Sequence, residues 1–372
     1  RHLKTPQGSS LLSLLVFTFM PLTLPCFVFL GCAIVVTIGS AASENTPAIR
    51  EQPLCTSKAA DAVNEEVTLV QTRRGISLER RGTKQDRNAQ QQSSLSQLFP
   101  LYWVHVPKCG SSFFNSLVNL PGACDLHSVN ITPETDLAEM CHTKEHWEFC
   151  AKDVPKVCPG SFSFHMCTAD HSGIEAVYDS VVKGHGVIML RQPEQRIISG
   201  YYSRFHSEPH SWPKWYYGRS PRDLKEYARV VSACAVKMLT REGRGHAFGH
   251  WDRDAPCGHP TLAVTAEEAQ LALERLRSGF IFVGITEDWD MSVCLLHMMV
   301  GGECHASEFA NSNPGNHSTG MQYDTSELEG FVDVYDGLLY EEAKRIYKSN
   351  LQKYGASPST CEPCFRHRSR TR

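Results

Sequence analysis

Two short stretches of the sequence combine the residue types that hold phosphate groups. In the first, Leu101-Tyr102-Trp103-Val104-His105-Val106 leads into Pro107-Lys108-Cys109-Gly110-Ser111-Ser112, followed by a helix-like stretch from Phe113 to Leu120. A loop rich in Gly and Ser between a strand and a helix turns several backbone N–H groups toward one point. The helix dipole adds positive potential there, so an anion cradle is expected. Lys108 brings a mobile full charge, and Ser111 and Ser112 bring hydroxyl donors. The loop is not a Walker A motif, because GxxxxGK[ST] is absent and the lysine precedes the glycine. In the second stretch, Val187 to Leu190 runs into Arg191-Gln192-Pro193-Glu194-Gln195-Arg196-Ile197-Ile198-Ser199-Gly200-Tyr201-Tyr202. Arg191 stands at the C-terminal end of a strand, where open α/β sheets bind ligands. Its planar guanidinium suits phosphate oxygens. Ser199 follows eight residues later, two turns into the next helix, where its hydroxyl could converge with Arg191 on one phosphate. Each stretch has a plainer reading: a Gly/Ser turn can be purely structural, and such an arginine can simply pair with a surface carboxylate.

The elements that must position these residues are legible in outline. Short apolar runs at 101–106, 187–190 and 280–284 read as buried strands. Between and after them lie helical stretches: one from Pro193 to about His206, and one opened by the capping box Thr265-Ala266-Glu267-Glu268 and running to about Arg277. Another is capped by Thr286 and runs through Val300, and a last one, from about Leu338 to Tyr354, stops at Gly355. Strands alternating with helices predict an α/β fold with a mainly parallel sheet covered on both faces. No internal repeat is present.

Length and composition narrow the class. The chain has 372 residues, 41% hydrophobic and 21% charged, which excludes wholesale disorder and fibrous folds. The formal net charge of −3 gives no global basic field for nucleic acid. From Thr5 to Ser43 there is no charged side chain, and 11–38 is almost continuously apolar. A membrane span needs about 20 such residues and a signal-peptide core only about 7–15, so an uncleaved signal-anchor is expected. Ala41-Ala42-Ser43 leaves a cleavage site as the alternative. Arg1, His2 and Lys4 precede the segment, so positive-inside places the rest of the chain in the lumen. Of the fifteen cysteines, all but Cys26 and Cys32 then lie in an oxidising compartment, where disulfides persist. The sequons at Asn130 and Asn316 agree with that placement. The expected organisation is a cytoplasmic tail over 1–10, the anchor over 11–38, a flexible luminal stem over 39–98 and one folded domain over 99–372. The stem's basic cluster, including Arg73, Arg74, Arg80 and Arg81, reads as a solvated linker run.

Three segments in order carry a family resemblance. HVPKCGSSFF resembles the 5′-phosphosulfate loop of membrane-bound Golgi sulfotransferases, LRQPEQRIISGYY their 3′-phosphate motif, and FVGITEDWDMSVCLL a later FVG-x-TE segment. Within that family the chain is similar to carbohydrate sulfotransferases related to the heparan sulfate and uronyl 2-O-sulfotransferases. The resemblance spans about residues 101–355 and implies a P-loop-like sulfotransferase fold, preceded by a transmembrane helix. It implies a single-pass type II Golgi enzyme that moves a sulfuryl group from 3′-phosphoadenylyl sulfate to a hydroxyl of a glycan, without a metal. Lys108, Gly110, Ser111 and Ser112 would then hold the 5′-phosphosulfate, and Arg191 and Ser199 the 3′-phosphate. Lys108 would also neutralise charge developing on the leaving oxygen. Cys109 stands where the family more often has Thr, and reads as a packed free thiol. The alternatives are a protein-tyrosine or small-molecule sulfotransferase, and a non-catalytic luminal glycan-binding protein.

A sugar hydroxyl is a poor nucleophile and needs a base. In the 2-O-sulfotransferase relatives a histidine between the two phosphate motifs fills that role. His165 in SFSFHMC is favoured here, with His171 in TADHSG as the alternative; Phe164 replaces the usual preceding glycine. A metal held by His165, Cys167 and His171 lacks a fourth ligand. The stretch from Tyr201 to Arg222, with Arg204, Lys214 and Arg219, reads equally as an acceptor groove or as ordinary aromatic packing. Cys361-Glu362-Pro363-Cys364 has redox CxxC spacing, but its context favours a structural disulfide.

Overall fold

The computed structural model describes residues 99–143, 145–158, 171–203, 221–243, 257, 263–312 and 322–368. The proposed anchor and stem, residues 11–98, lie outside them. No helix among the described residues is long and apolar enough to cross a membrane.

Three strands, β1 (Tyr102–Val104), β2 (Gly186–Leu190) and β3 (Phe280–Ile285), form a parallel sheet in the order β1-β2-β3. Tyr102 pairs with Gly186, Trp103 with Val187 and Val104 with Ile188. On the other side of β2, Leu190 pairs with Ile285. β1 and β2 are buried along their whole length, which explains why they read as continuous apolar runs rather than alternating ones. Parallel strands demand long crossovers, and helices supply them.

The first crossover begins with α1 (Phe113–Val118), buried at every residue. Phe113 stacks on Phe282 of β3 with ring centroids 5.5 Å apart. It continues through α2 (Leu137–His142), α3 (Trp147–Lys152) and α4 (Val154–Val157). Disulfides Cys124–Cys158 and Cys141–Cys150 pin this segment, as its cysteine density predicted; Cys167 lies outside the described residues. Asn130 of the first sequon is exposed there, in the left-handed conformation that ends a 3-10 turn.

After β2 come α5 (Pro193–Tyr201), α6 (Leu224–Val231), α7 (Cys234–Thr240) and α8 (Ala266–Gly279). The capping box of α8 forms both arms: the Glu268 N–H donates to Thr265 Oγ1 at 3.2 Å, and the Thr265 N–H donates to Glu268 Oε2 at 3.0 Å. After β3, a 3-10 turn over Thr286–Asp288 opens into α9 (Trp289–Val300). The long α10 (Val334–Tyr354) closes at Gly355, whose φ of 67° is the left-handed cap that favours glycine. It begins four residues earlier than the pattern predicts. Asp333 caps it, and Val334 and Leu338 in its first turns are exposed, which breaks the amphipathic period.

The CxxC cysteines do not pair with each other. Cys361 bonds to Cys294 of α9 and Cys364 to Cys304, fastening the short α11 (Glu362–Phe365) onto α9 and the loop that follows it. A fifth bridge joins Cys234 to Cys257.

Candidate functional site

Parallel pairing sends the C-terminal ends of all three strands to one edge of the sheet. β1 delivers Lys108 there, β2 delivers Arg191, and β3 delivers Thr286, Glu287 and Trp289. Residues more than 170 positions apart in sequence therefore meet.

The loop after β1 turns through two left-handed positions, Lys108 at φ 63° and Gly110 at φ 87°. The first is a β-branch-free but non-glycine residue, a conformation that costs roughly 1–2 kcal/mol. Alternation with right-handed residues makes such a loop a concave nest of backbone N–H groups. Gly110 is required twice over: its φ suits glycine, and a Cβ there would run into the Trp289 ring. Trp289 is itself held by its indole N–H, which donates to the Glu308 carbonyl at 2.9 Å. Ser112 is buried, and its hydroxyl oxygen accepts the Ser312 N–H at 3.0 Å; Ser111 remains partly exposed. Because α1 has only six residues, its dipole is modest, and the charge at this site comes chiefly from side chains.

Lys108 is half-buried, and its ammonium is pulled down to about 8, first by burial and then by the like charge of Arg191. The two cations expected to serve separate phosphates are thus close enough to repel, which an anion would relieve. The backbone N–H of Arg191 bonds to the Cys109 thiol, tying the loop to the end of β2. Burial pushes that thiol up to about 12 against the pull of Arg196 and Arg191, so Cys109 is a packed, unreactive thiol. Glu287 braces the same edge. Its Oε1 accepts the Gln192 N–H at 2.9 Å, and its Oε2 accepts the Tyr340 hydroxyl at 3.0 Å. The Arg191 guanidinium lies over the Tyr323 ring, 5.4 Å from its centroid. Tyr323 is clasped to α5 by paired bonds with the Gln195 amide at 2.6 and 2.8 Å.

Ser199 is buried in the last turn of α5. About 9 Å of helix axis separates it from Pro193, so an anion shared with Arg191 requires the arginine to lie back along the helix. Arg196, in the same motif, makes its hydrogen bonds in the interior instead. It is buried and bonds to the Val231 carbonyl at 2.9 Å and Asp336 Oδ2 at 3.3 Å, with Asp333 at 3.7 Å.

Of the two candidate bases, His165 lies outside the described residues. His171 is buried beside the site loop, and its Nδ1–H donates to the His105 carbonyl at 2.8 Å. A carbonyl only accepts, so the neutral ring carries its basic lone pair on Nε2. His105 stacks on Trp103 at 4.3 Å, and the His171 ring lies tilted against it at 4.8 Å. In the aromatic stretch after α5, Tyr201 packs edge-on against Tyr227 and Tyr202 stacks with Tyr323; Arg204, Lys214 and Arg219 lie outside the described residues. No cluster of three or more metal-ligating side chains occurs among the described residues.

Glu287, Trp289, Tyr323 and Tyr340 were not singled out from sequence. Glu287 and Trp289 lie inside the quoted FVGITEDW segment, which is the only signal that points to them; nothing local marks Tyr323 or Tyr340. Compared with known proteins, the chain matches no family model, no curated protein and no solved structure.

Proposed function

We propose that this protein is a Golgi carbohydrate sulfotransferase, anchored as a single-pass type II membrane protein. It would transfer a sulfuryl group from 3′-phosphoadenylyl sulfate to a glycan hydroxyl. The observation that carries the reading is the meeting of Lys108 and Arg191 at the carboxyl edge of the parallel sheet, beside a left-handed Gly/Ser loop. Two neighbouring cations, one of which lowers the proton affinity of the other, fit a ligand with two phosphate groups. The donor supplies the activated sulfuryl group, and the residues of this chain bind, orient and neutralise.

Lys108 with the loop N–H groups and the Ser111 and Ser112 hydroxyls would hold the 5′-phosphosulfate, and Arg191 with Ser199 the 3′-phosphate. In-line transfer breaks the sulfur–oxygen bond to the 5′-phosphate and forms one to the sugar oxygen. Lys108 would neutralise the charge left on the phosphate oxygen, an interaction stronger in the transition state than in the ground state. A histidine would take the hydroxyl proton: His165 from the motif order, or His171, whose fixed tautomer presents Nε2 as the base.

Thermal unfolding of the full-length chain with 3′-phosphoadenosine 5′-phosphate tests the reading. Saturating nucleotide should raise Tm, by the linkage of binding to folding. No rise would remove the donor site and leave a glycan-binding protein as the better account. Transfer assays on His165→Ala and His171→Ala decide the base, since only the true base should lose about 10²–10⁴ in rate.

A further inference from the structure

We propose that Tyr323 is a positioning residue. Its ring holds the Arg191 guanidinium over the face of α5 that carries Ser199, and so makes the site selective for a nucleotide with a 3′-phosphate. The inference rests on the proposed donor site and adds to it a residue that lies in neither phosphate motif.

An arginine at a strand end does not by itself reach a serine two turns into the next helix. Arg191 is partly exposed, and its long side chain has many rotamers to lose when it grips an anion. To share one phosphate with Ser199, the guanidinium has to be laid back along α5.

Gln195, Ser199 and Tyr202 stand at i, i+4 and i+7 along α5 and its C-cap, so they share one face. Tyr323 meets this face from 128 residues away. The Gln195 side chain grips its main chain at two points. The Tyr323 N–H donates to Gln195 Oε1 at 2.6 Å, and Gln195 Nε2 donates to the Tyr323 carbonyl at 2.8 Å. Gln195 is itself buried, which shields both bonds from water. The Tyr323 ring stacks with that of Tyr202, with centroids 6.4 Å apart and planes 21° apart. Tyr202 is fixed in turn by its hydroxyl, which donates to Glu327 Oε2 at 2.5 Å. Tyr323 therefore contacts the shared face at residues on both sides of Ser199.

Arg191 lies over this fixed ring, 5.4 Å from its centroid. The negative face of an aromatic ring attracts a guanidinium without using its N–H donors. A carboxylate in that place would neutralise the charge and take up the planar fork. A ring orients the cation and leaves its charge for a phosphate. Ordering the side chain in advance also lowers the cost of ordering it on binding. The effect falls on the phosphate assigned to Arg191, and not on the one assigned to the Lys108 loop.

The test is calorimetric binding to the full-length chain in detergent. The two probes are 3′-phosphoadenosine 5′-phosphate and adenosine 5′-phosphate, which lacks the 3′-phosphate. Wild type should bind the first more tightly. Tyr323→Leu, which removes the aromatic face but keeps bulk, should lower that preference about tenfold. Its affinity for adenosine 5′-phosphate should stay within about twofold of wild type. Tyr323→Phe should keep the preference, and Gln195→Ala should lower it by a smaller factor than Tyr323→Leu. Arg191→Ala should abolish the preference, and adding Tyr323→Leu to it should change nothing more, as for a residue that acts through Arg191. An unchanged preference in Tyr323→Leu overturns the inference. So does an equal loss of affinity for both nucleotides, since the ring would then serve the fold or the rest of the nucleotide. A wild type with no preference between the two probes removes the donor-site reading itself, and the inference with it.

Discussion

Arg191 and Arg196 lie five residues apart in one motif, yet the fold gives them opposite environments. Arg196 is buried between α5, the end of α6 and the start of α10, where Asp333 and Asp336 face it. Those carboxylates also accept the N–H groups of Ala233, Ala235 and Val236, so the paired charges are built into the backbone of the α6–α7 junction. Arg191 is partly exposed at the sheet edge, stacked over Tyr323 and near enough to Lys108 to lower its proton affinity. A cation buried against carboxylates stabilises architecture, whereas a second cation beside Lys108 adds to the positive potential at the sheet edge. Residue type does not separate the two cases; the partner does.

Arg196→Ala should have the largest effect on the fold. It strands two carboxylates in the interior, and breaking a buried pair costs about 3–5 kcal/mol, read by denaturant unfolding. Arg191→Ala should leave stability within about 0.5 kcal/mol, as for a change outside the core, and weaken nucleotide binding instead. Equal losses of stability in the two variants would erase the distinction between them. Next in size, Lys108→Ala should lower kcat by about 10²–10³ with little change in Tm, if its ammonium serves the leaving oxygen. Gly110→Ala sharpens the contrast from the backbone side. It should cost about 1–3 kcal/mol through left-handed strain and crowding of Trp289, and loosen nucleotide binding with it.

Two pH effects are smaller and opposite in origin. Lys108 binds anions in its protonated form and titrates near 8, so nucleotide affinity should decline as pH rises through 8. Lys108→Arg should flatten that decline. Asp333 is raised above the usual carboxylate range, first by burial and then by the Asp336 charge, against the pull of Arg196. Its native form then holds a proton more tightly than its unfolded form. Its contribution to stability is present at low pH and fades as pH rises above the ordinary carboxylate range. Unfolding measured from pH 4 to 8 checks this, with Asp333→Asn as the variant expected to lose that dependence.

What could be read in advance was whatever local chemistry dictates. The three strands are continuous apolar runs, Thr265 and Glu268 form the capping box their spacing predicts, and Gly355 ends α10 as a left-handed cap. Lys108, Gly110, Ser112 and Arg191 were chosen because a loop after a strand and an arginine at a strand end are local features. The early start of α10 was hidden because exposed Val334 and Leu338 break the helical period. The roles of Glu287, Tyr323 and Tyr340 were hidden for a different reason. Glu287 meets Gln192 across 95 residues and Tyr340 across 53, and no window of sequence contains such a pair.

The sequence by itself determined the three strands, their order and the cationic and Gly/Ser-rich make-up of two loops, because propensity, capping and charge act within a few residues. Only the tertiary structure decided which charges meet. Parallel register brought Lys108 to Arg191, burial inactivated the Cys109 thiol, and Asp333 with Asp336 drew Arg196 out of the site. It also decided that Cys361 and Cys364 bond to α9 and its following loop rather than to each other. Electrostatics, desolvation and cross-linking depend on distances through space, and those exist only once the sheet has assembled.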